Sequence, residues 1–183
     1  PGHVQQFGVD GAGQSTSFAD VIGTLEQAER EPHRVNGSAQ TFLTDQLRDT
    51  VRHHLIADVD VGVFLSSGLD STTLAALASE VGGSLKTLTL GFEEFRGTAN
   101  DEVPLAETVA RHYGADHQTV WITREEFTDA LDHLLNVMDQ PSADGVNSYF
   151  VSLAARKAGL KVAISGLGGD ELFGGYPSFR EVP

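Results

Sequence analysis

A chain of 183 residues with 40% hydrophobic content is long enough to bury one substantial core beside a small appendage. Twenty-six acidic residues against 12 basic ones leave a net charge of −14, which argues against nucleic acid and against an anionic membrane surface, because both reward clustered Lys and Arg. The absence of cysteine excludes disulfides, thiolate nucleophiles and cysteine-type zinc sites.

Lys86, Lys157 and Lys161 are the only lysines, so an anionic ligand has to be met by backbone amides, a metal or a few placed bases. No apolar run reaches transmembrane length and no signal-peptide pattern is present, which fits a cytoplasmic protein. The chain starts at Pro1 rather than Met, so it reads as an excised piece, truncated at both ends.

Residues 1–40 are weakly patterned. Val4, Phe7 and Val9 suit a short strand, and Gly11 to Ser17 reads as a loop. Phe18 to Pro32 is apolar only in patches and reads as linker. Thr41 to Ala57 is predicted as a helix, with Phe42, Leu47, Val51, Leu55 and Ile56 on its apolar side. The adjacent His53 and His54 cannot face one way, so they do not suit a shared metal.

Val61, Val63, Phe64 and Leu65 form the short apolar run of a strand buried on both faces. Ser66, Ser67 and Gly68 break it. A helix follows, capped by Asp70 or Ser71, with Leu74, Leu77, Ala78 and Val81 at helical spacing and Gly82-Gly83 at its end. The turn suits a phosphate. Gly68 permits close backbone approach, the helix start presents free N–H groups, and the serines add hydroxyl donors. Asp70 repels a bare phosphate, so it points to a divalent cation bridging carboxylate and phosphate. An ordinary capped strand–helix turn accounts for the same residues equally well.

Leu85 to Phe92 is predicted as a second strand and Glu93 to Asn100 as a polar loop. Glu102 to Tyr113 is a helix with Pro104 in its first turn, Gly114 at C′, and Leu105, Val109 and Tyr113 inward. His117 to Ile122 is a third strand. Thr123 and Glu126 form a capping box for a helix whose stripe is Phe127, Leu131, Leu134, Leu135 and Met138. An acidic loop, Asp139 to Asp144, precedes a helix from about Asn147 to Lys157, stopped by Gly159. Lys161 to Ser165 is a fourth strand and runs into Ser165-Gly-Leu-Gly-Gly-Asp-Glu-Leu-Phe-Gly-Gly-Tyr176. Five glycines there are hard to explain as packing.

The alternation of strand and helix predicts an open parallel α/β sheet with right-handed crossovers and helices on both faces. Ligands bind such sheets beyond the carboxyl ends of the strands, where both glycine-bearing loops lie. G-x-x-x-x-G-K-[ST], G-x-G-x-x-G after the first strand, H-E-x-x-H and G-x-S-x-G are all absent.

Ser66-Ser-Gly-Leu-Asp-Ser71 is similar to the S-G-G-x-D-S loop of N-type ATP pyrophosphatases (the PP-loop superfamily). With the Ser165–Tyr176 segment, Asp101-Glu102 and Asp139-Gln-Pro141, it resembles the synthetase domain of glutamine-hydrolysing asparagine synthetases. The resemblance covers roughly residues 41–176. It implies an adenine nucleotide alpha hydrolase-like, Rossmann-like fold over residues 41–183, with residues 1–40 as the tail of an upstream glutaminase-like domain and linker.

The implied reaction is ATP-dependent amidation of aspartate through an aspartyl-adenylate, releasing AMP and pyrophosphate. Ammonia would come from glutamine in a glutaminase domain whose nucleophilic cysteine is not in this chain. The resemblance places Ser66, Ser67, Gly68, Asp70 and Ser71 on the pyrophosphate, Asp70 and Asp170 on Mg2+, and Leu65, Leu90, Ser165 and Gly166 around the adenosine. Core packing explains Leu65 and Leu90 as well.

ATP, aspartate or a related carboxylate, and ammonia are the implied partners; a homodimer is left open. Ser67 replaces the usual first glycine, which serine tolerates at negative φ. Leu167 replaces a glutamate near the intermediate, and leucine neither binds a cation nor accepts a proton. Two further readings follow from Leu167: an amide- or lactam-forming ligase for another carboxylate, and a non-catalytic nucleotide-binding domain.

Overall fold

The structure is a computed structural model that describes residues 2–31, 37–140 and 142–181. Pro1, Pro32 and Pro141, expected in a strand remnant, a linker end and an acidic loop, lie outside those residues. The chain divides into two compact units, Pro1–Thr44 and Asp45–Pro183.

In the first unit, β1 (His3–Gly8) pairs antiparallel with β2 (Gly11–Ser17), with an irregularity between Gln5 and Phe7. Gly11 to Ser17, expected as a loop, is a strand. Its side chains are small or polar and all exposed, so backbone pairing makes it rather than burial. The expected linker contains helix α1 (Val21–Arg30). Asp20 starts it by accepting the Gly23 N–H at 3.0 Å, which satisfies one of the orphan donors of the first turn.

Helix α2 (Ala39–His54) buries Val51 and leaves Ile56 exposed beyond its end. The His53 and His54 rings turn back onto the carbonyls of Asp49 and Thr50, each four residues earlier.

The second unit is built on a parallel sheet of β3 (Val61–Phe64), β4 (Lys86–Phe92), β5 (Asp116–Ile122) and β6 (Val162–Ile164), in the order β5-β4-β3-β6. Helices α3 (Leu69–Val81) and α4 (Val103–His112) connect β3 to β4 and β4 to β5. Helices α5 (Arg124–Val137) and α6 (Ala143–Lys157) connect β5 to β6. The chain order therefore reverses between β3 and β6. The loops after these two adjacent strands open at the same edge of the sheet.

Alternation along the strands sorts the core onto two faces. Val63 and Leu65 pack with residues of α2, α3 and α4, among them Val51, Ala75, Leu77, Ala106 and Ala110. Leu88, Val120 and Ile122 pack on the other face against Leu134, Phe150 and Ala154 of α5 and α6. Small residues on α3 and α4 let these helices lie close to the sheet. At Gly91 a Cβ would stand 2.7 Å from the Trp121 ring and 2.9 Å from Val103 Cγ2, so only glycine fits.

Several expected details change. Helix α3 is capped by Gly68, not by Asp70 or Ser71, because Ser71 Oγ is engaged inside the loop. Leu105, Leu131 and Leu135 are exposed; the buried positions of α4 are Val103, Ala106 and Ala110, and α5 buries Leu134. On α4 a one-residue rotation of the apolar arc suffices for this, because the close-packed face takes alanine where periodicity favoured leucine, while on α5 the buried position is Leu134 of the expected stripe. Helix α6 begins at Ala143 rather than near Asn147, incorporating the end of the expected acidic loop. The Thr123–Glu126 capping box is present in both its bonds, at 3.1 and 3.0 Å.

Among the described residues no helix is long and apolar enough to cross a membrane.

His117 sits half-buried on β5, with Nδ1 2.8 Å from Thr87 Oγ1 and Nε2 3.2 Å from Thr119 Oγ1. Burial lowers its pKa; the Glu107 carboxylate opposes this and the Arg111 guanidinium adds to it. The folded state thus binds fewer protons than the unfolded chain in the range just below the ordinary histidine value. The contribution to stability is complete above about pH 6.5 and is lost as the pH falls towards the depressed folded value. Urea midpoints measured from pH 7.5 to 5 are expected to fall in the wild type and to fall less steeply in His117→Gln.

Candidate functional site

The loop between β3 and α3 is held from beneath. Leu65 N–H donates to Leu88 O at 2.9 Å, and Leu65 O accepts from Thr89 Oγ1 at 2.6 Å. Ser71, 7% exposed, then closes the loop on itself. Its Oγ accepts from Ser66 N–H at 3.1 Å, lies 2.9 Å from Ser66 Oγ, and stands 3.2 Å from Gly68 O. Ser66 Oγ in turn accepts from Gly68 N–H at 3.1 Å.

Ser66 Oγ and Ser71 Oγ bond to each other, either one donating, and Ser71 also lies within reach of the Ser66 and Gly68 carbonyls, so both hydroxyls are engaged inside the loop. Ser67 Oγ has no hydrogen-bond partner among the described residues. Ser67 and the uncapped N–H groups at the start of α3 are therefore the donors the loop has to spare. Ser67 is not among the residues with positive φ, so its side chain costs no backbone strain. By sequence Ser66, Ser67 and Ser71 share one expected role; the structure separates two loop-forming hydroxyls from one available hydroxyl.

The loop after β6 meets this one. A Cβ on Gly166 would lie 3.0 Å from Asp70 Cβ and 3.4 Å from Ser71 N, and one on Gly169 would overlap the Asp70 carboxylate. The second loop thus runs against Asp70, and Asp170 is the next residue. Gly168 takes φ +96° and starts the short helix α7 (Gly169–Phe173), while the Asp170 carboxylate lies against Gly175. The short helix α8 (Ser178–Glu181) follows. Asp70 and Asp170 are both half-buried, and neither carboxylate makes a hydrogen bond or ion pair with another described residue.

Lys86 and Lys157 are tied to Asp60 and Glu126 at 2.7 and 2.9 Å, and Arg96 lies 4.6 Å over the Trp121 ring. Two uncompensated carboxylates beside a phosphate-type loop suit Mg2+, which takes one or two carboxylates and fills its sphere with water and phosphate oxygens. No group of three or more His, Cys, Asp or Glu side chains suited to a metal occurs among the described residues.

The Leu65 side chain is 2% exposed, packed with Ala75, Ala106 and Ala110, so only its backbone reaches the site. Leu90 is half-buried against the α5–α6 core. Ser165 Oγ accepts from Leu167 N–H at 3.4 Å, and the Leu167 side chain is 89% exposed.

A cleft of about 360 Å³ adjoins the first loop, lined by Ser67, Ala99, Asn100, Asp101, Glu102 and Leu105. The Asp101 carboxylate is spent on the N–H groups of Gly97 and Val103, at 2.8 and 3.1 Å. It shapes the cleft wall. Thr89, Asn100 and Leu105 were missed as site neighbours because their place depends on sheet register and loop folding, for which the sequence carries no local sign.

The asparagine synthase family profile matches residues 43–183. Asparagine synthetase [glutamine-hydrolyzing] 1 of Bacillus subtilis is 40% identical over 139 residues, covering 75% of this chain and 21% of that protein. Asparagine synthetase B [glutamine-hydrolyzing] of Escherichia coli is 28% identical over 166 residues, covering 81% and 29%. The chain thus spans about a fifth to a third of the length of these curated relatives.

Among solved structures, the NH3-dependent NAD synthetase of Campylobacter jejuni aligns with TM-score 0.50 and 16% identity, over 76% of this chain and 61% of that one. A glutamine-dependent NAD+ synthetase of Acinetobacter baumannii in complex with ADP aligns with TM-score 0.51 and 16% identity, over 94% and 31%. At that identity the likeness concerns the fold.

Proposed function

The chain belongs to the asparagine synthase family and has the PP-loop, Rossmann-like fold, and on that premise we propose that it forms the ATP-using site of a ligase that amidates aspartate. The observation carrying this reading is the packing of Asp70 against the second loop, its Cβ facing Gly166 and its carboxylate facing Gly169, which joins the two glycine-bearing loops at one sheet edge.

In the proposed reaction a β-carboxylate oxygen of aspartate attacks the α-phosphorus of ATP. The bond from that phosphorus to the bridging oxygen breaks and pyrophosphate leaves. Ammonia, derived from glutamine in a glutaminase domain, then attacks the acyl carbon and AMP departs, with one ammonia proton lost to solvent. Bound Mg2+ would neutralise the leaving pyrophosphate. Asp70 and Asp170 would hold that cation, while Ser67 and the first N–H groups of α3 donate to pyrophosphate oxygens as charge develops. The Leu65 and Gly166 backbones border the nucleoside.

Leu167 favours a second reading, in which the same adenylating site serves another carboxylate. At 89% exposure it offers an apolar, uncharged surface beside Gly166. Carboxylate-dependent ATP–pyrophosphate exchange by the protein that carries this chain separates the two. Exchange with aspartate supports the first reading and removes the second. Exchange with a less polar acid and not with aspartate supports the second and removes the first, and absence of Mg–ATP binding defeats both.

A further inference from the structure

We propose that Thr89 is a positioning residue for the phosphate loop: its hydroxyl fixes the backbone point from which Ser66–Ser71 leaves the sheet. The proposal rests on the reading of that loop as an ATP site.

The register of β3 on β4 runs Gly62↔Lys86, Val63↔Thr87 and Phe64↔Leu88 and then stops. Leu65 is the first residue past the paired stretch. Its N–H still reaches Leu88 O, but its carbonyl is taken by a side chain, Thr89 Oγ1, at 2.6 Å. A side-chain donor at this point replaces the next rung of the ladder. The Leu65 carbonyl stays satisfied while the chain turns out of the sheet.

Thr89 is 2% exposed, on the face shared with Leu65, Ala75 and Ala106. A hydroxyl buried there costs free energy unless bonded, and Leu65 O is its acceptor. Valine would fill the same volume and suit a strand equally well, so packing alone does not require threonine. What the hydroxyl adds is a fixed carbonyl, one residue ahead of Ser66, whose N–H and Oγ are both bonded to Ser71. Freed from Thr89, the Leu65–Ser66 peptide can rotate, and the Ser66–Ser71 clasp loses its anchor.

Thr87 is the internal control. It is equally buried at 2% and two residues earlier on β4, but its hydroxyl bonds to His117 Nδ1, away from the loop.

Two measurements on the protein that carries this chain decide the matter: amide hydrogen exchange at Ser66 and Gly68 without nucleotide, and calorimetric titration with Mg–ATP. In Thr89→Val, exchange at both amides is expected to accelerate about tenfold and Mg–ATP affinity to fall about tenfold, the usual size of one lost hydrogen bond. Thr89→Ser restores both, and Thr87→Val lowers the melting temperature while changing neither. The proposal is overturned if Thr89→Val leaves the loop amides unchanged, if Thr89→Ser behaves like Thr89→Val, or if Thr87→Val perturbs the loop as strongly. Should Thr89→Val not fold, Thr89→Cys takes its place in both measurements. A wild type that binds no Mg–ATP defeats the nucleotide reading, and the exchange data still decide the role of Thr89.

Discussion

Asp70→Asn is expected to weaken Mg–ATP binding roughly tenfold to a hundredfold, the size of one lost charged contact, and to leave the melting temperature near the wild-type value. The reasoning begins with packing. The Asp70 carboxylate lies against Gly169 and asparagine matches its shape, so the contact between the loops survives the substitution. Asp70 has no hydrogen bond or ion pair with a described residue, so no internal partner is orphaned. Only the charge changes.

The sign should invert without magnesium. A bare triphosphate is repelled by Asp70, so in EDTA the variant is expected to bind ATP at least as well as the wild type. This crossover separates a cation ligand from a residue that merely shapes the loop. Gly169→Ala approaches the same carboxylate from the other side: the new methyl group displaces it, and Mg–ATP affinity should drop with the fold intact. Identical isotherms for Asp70→Asn and wild type would remove Asp70 from the cation's sphere.

The parts of this molecule legible in the sequence are those written in local patterns. The strand from Val61, the turn at Ser66–Gly68 and the capping box at Thr123 and Glu126 each depend on residues a few positions apart. The parallel sheet followed from the alternation of such units, because crossover connections leave few other topologies. What escaped depends on partners distant in sequence. Nothing within Gly11–Ser17 marks a strand; β1 makes it one. The spacing that put Leu105 inward was sound for an isolated helix, but Gly91 and Val103 bring α4 so close to the sheet that alanine takes the inner positions. The serines show the same limit within the site. Composition nominated Ser66, Ser67 and Ser71 alike, and only their hydrogen bonds show which hydroxyls are already spent.

Phe150→Ala is expected to cost about 3–5 kcal/mol of stability, the usual range for removing a buried aromatic ring, without changing Mg–ATP affinity in the protein that remains folded. Phe150 is 1% exposed. Its ring stacks on Phe127 at 5.1 Å and meets Phe92 and Tyr149 edge-on at 6.1 and 5.2 Å. Three aromatic neighbours from β4, α5 and α6 converge on it, and stiff rings collapse poorly into a vacated volume. Against a total stability of roughly 5–15 kcal/mol the loss is large, and the melting temperature should fall by roughly 6–20 °C.

The nucleotide loops are spared for a geometric reason. Phe150 belongs to the face covered by α5 and α6, whereas Leu65 and the first turn of α3 pack on the opposite face, with Thr89 and the alanines of α4. A calorimetric titration at about 10 °C, well below the lowered transition, reads affinity apart from stability. If Phe150→Ala loses Mg–ATP binding there while its circular dichroism stays native, the two faces of the sheet are energetically coupled. The loop geometry would then depend on the aromatic cluster as much as on its own serines.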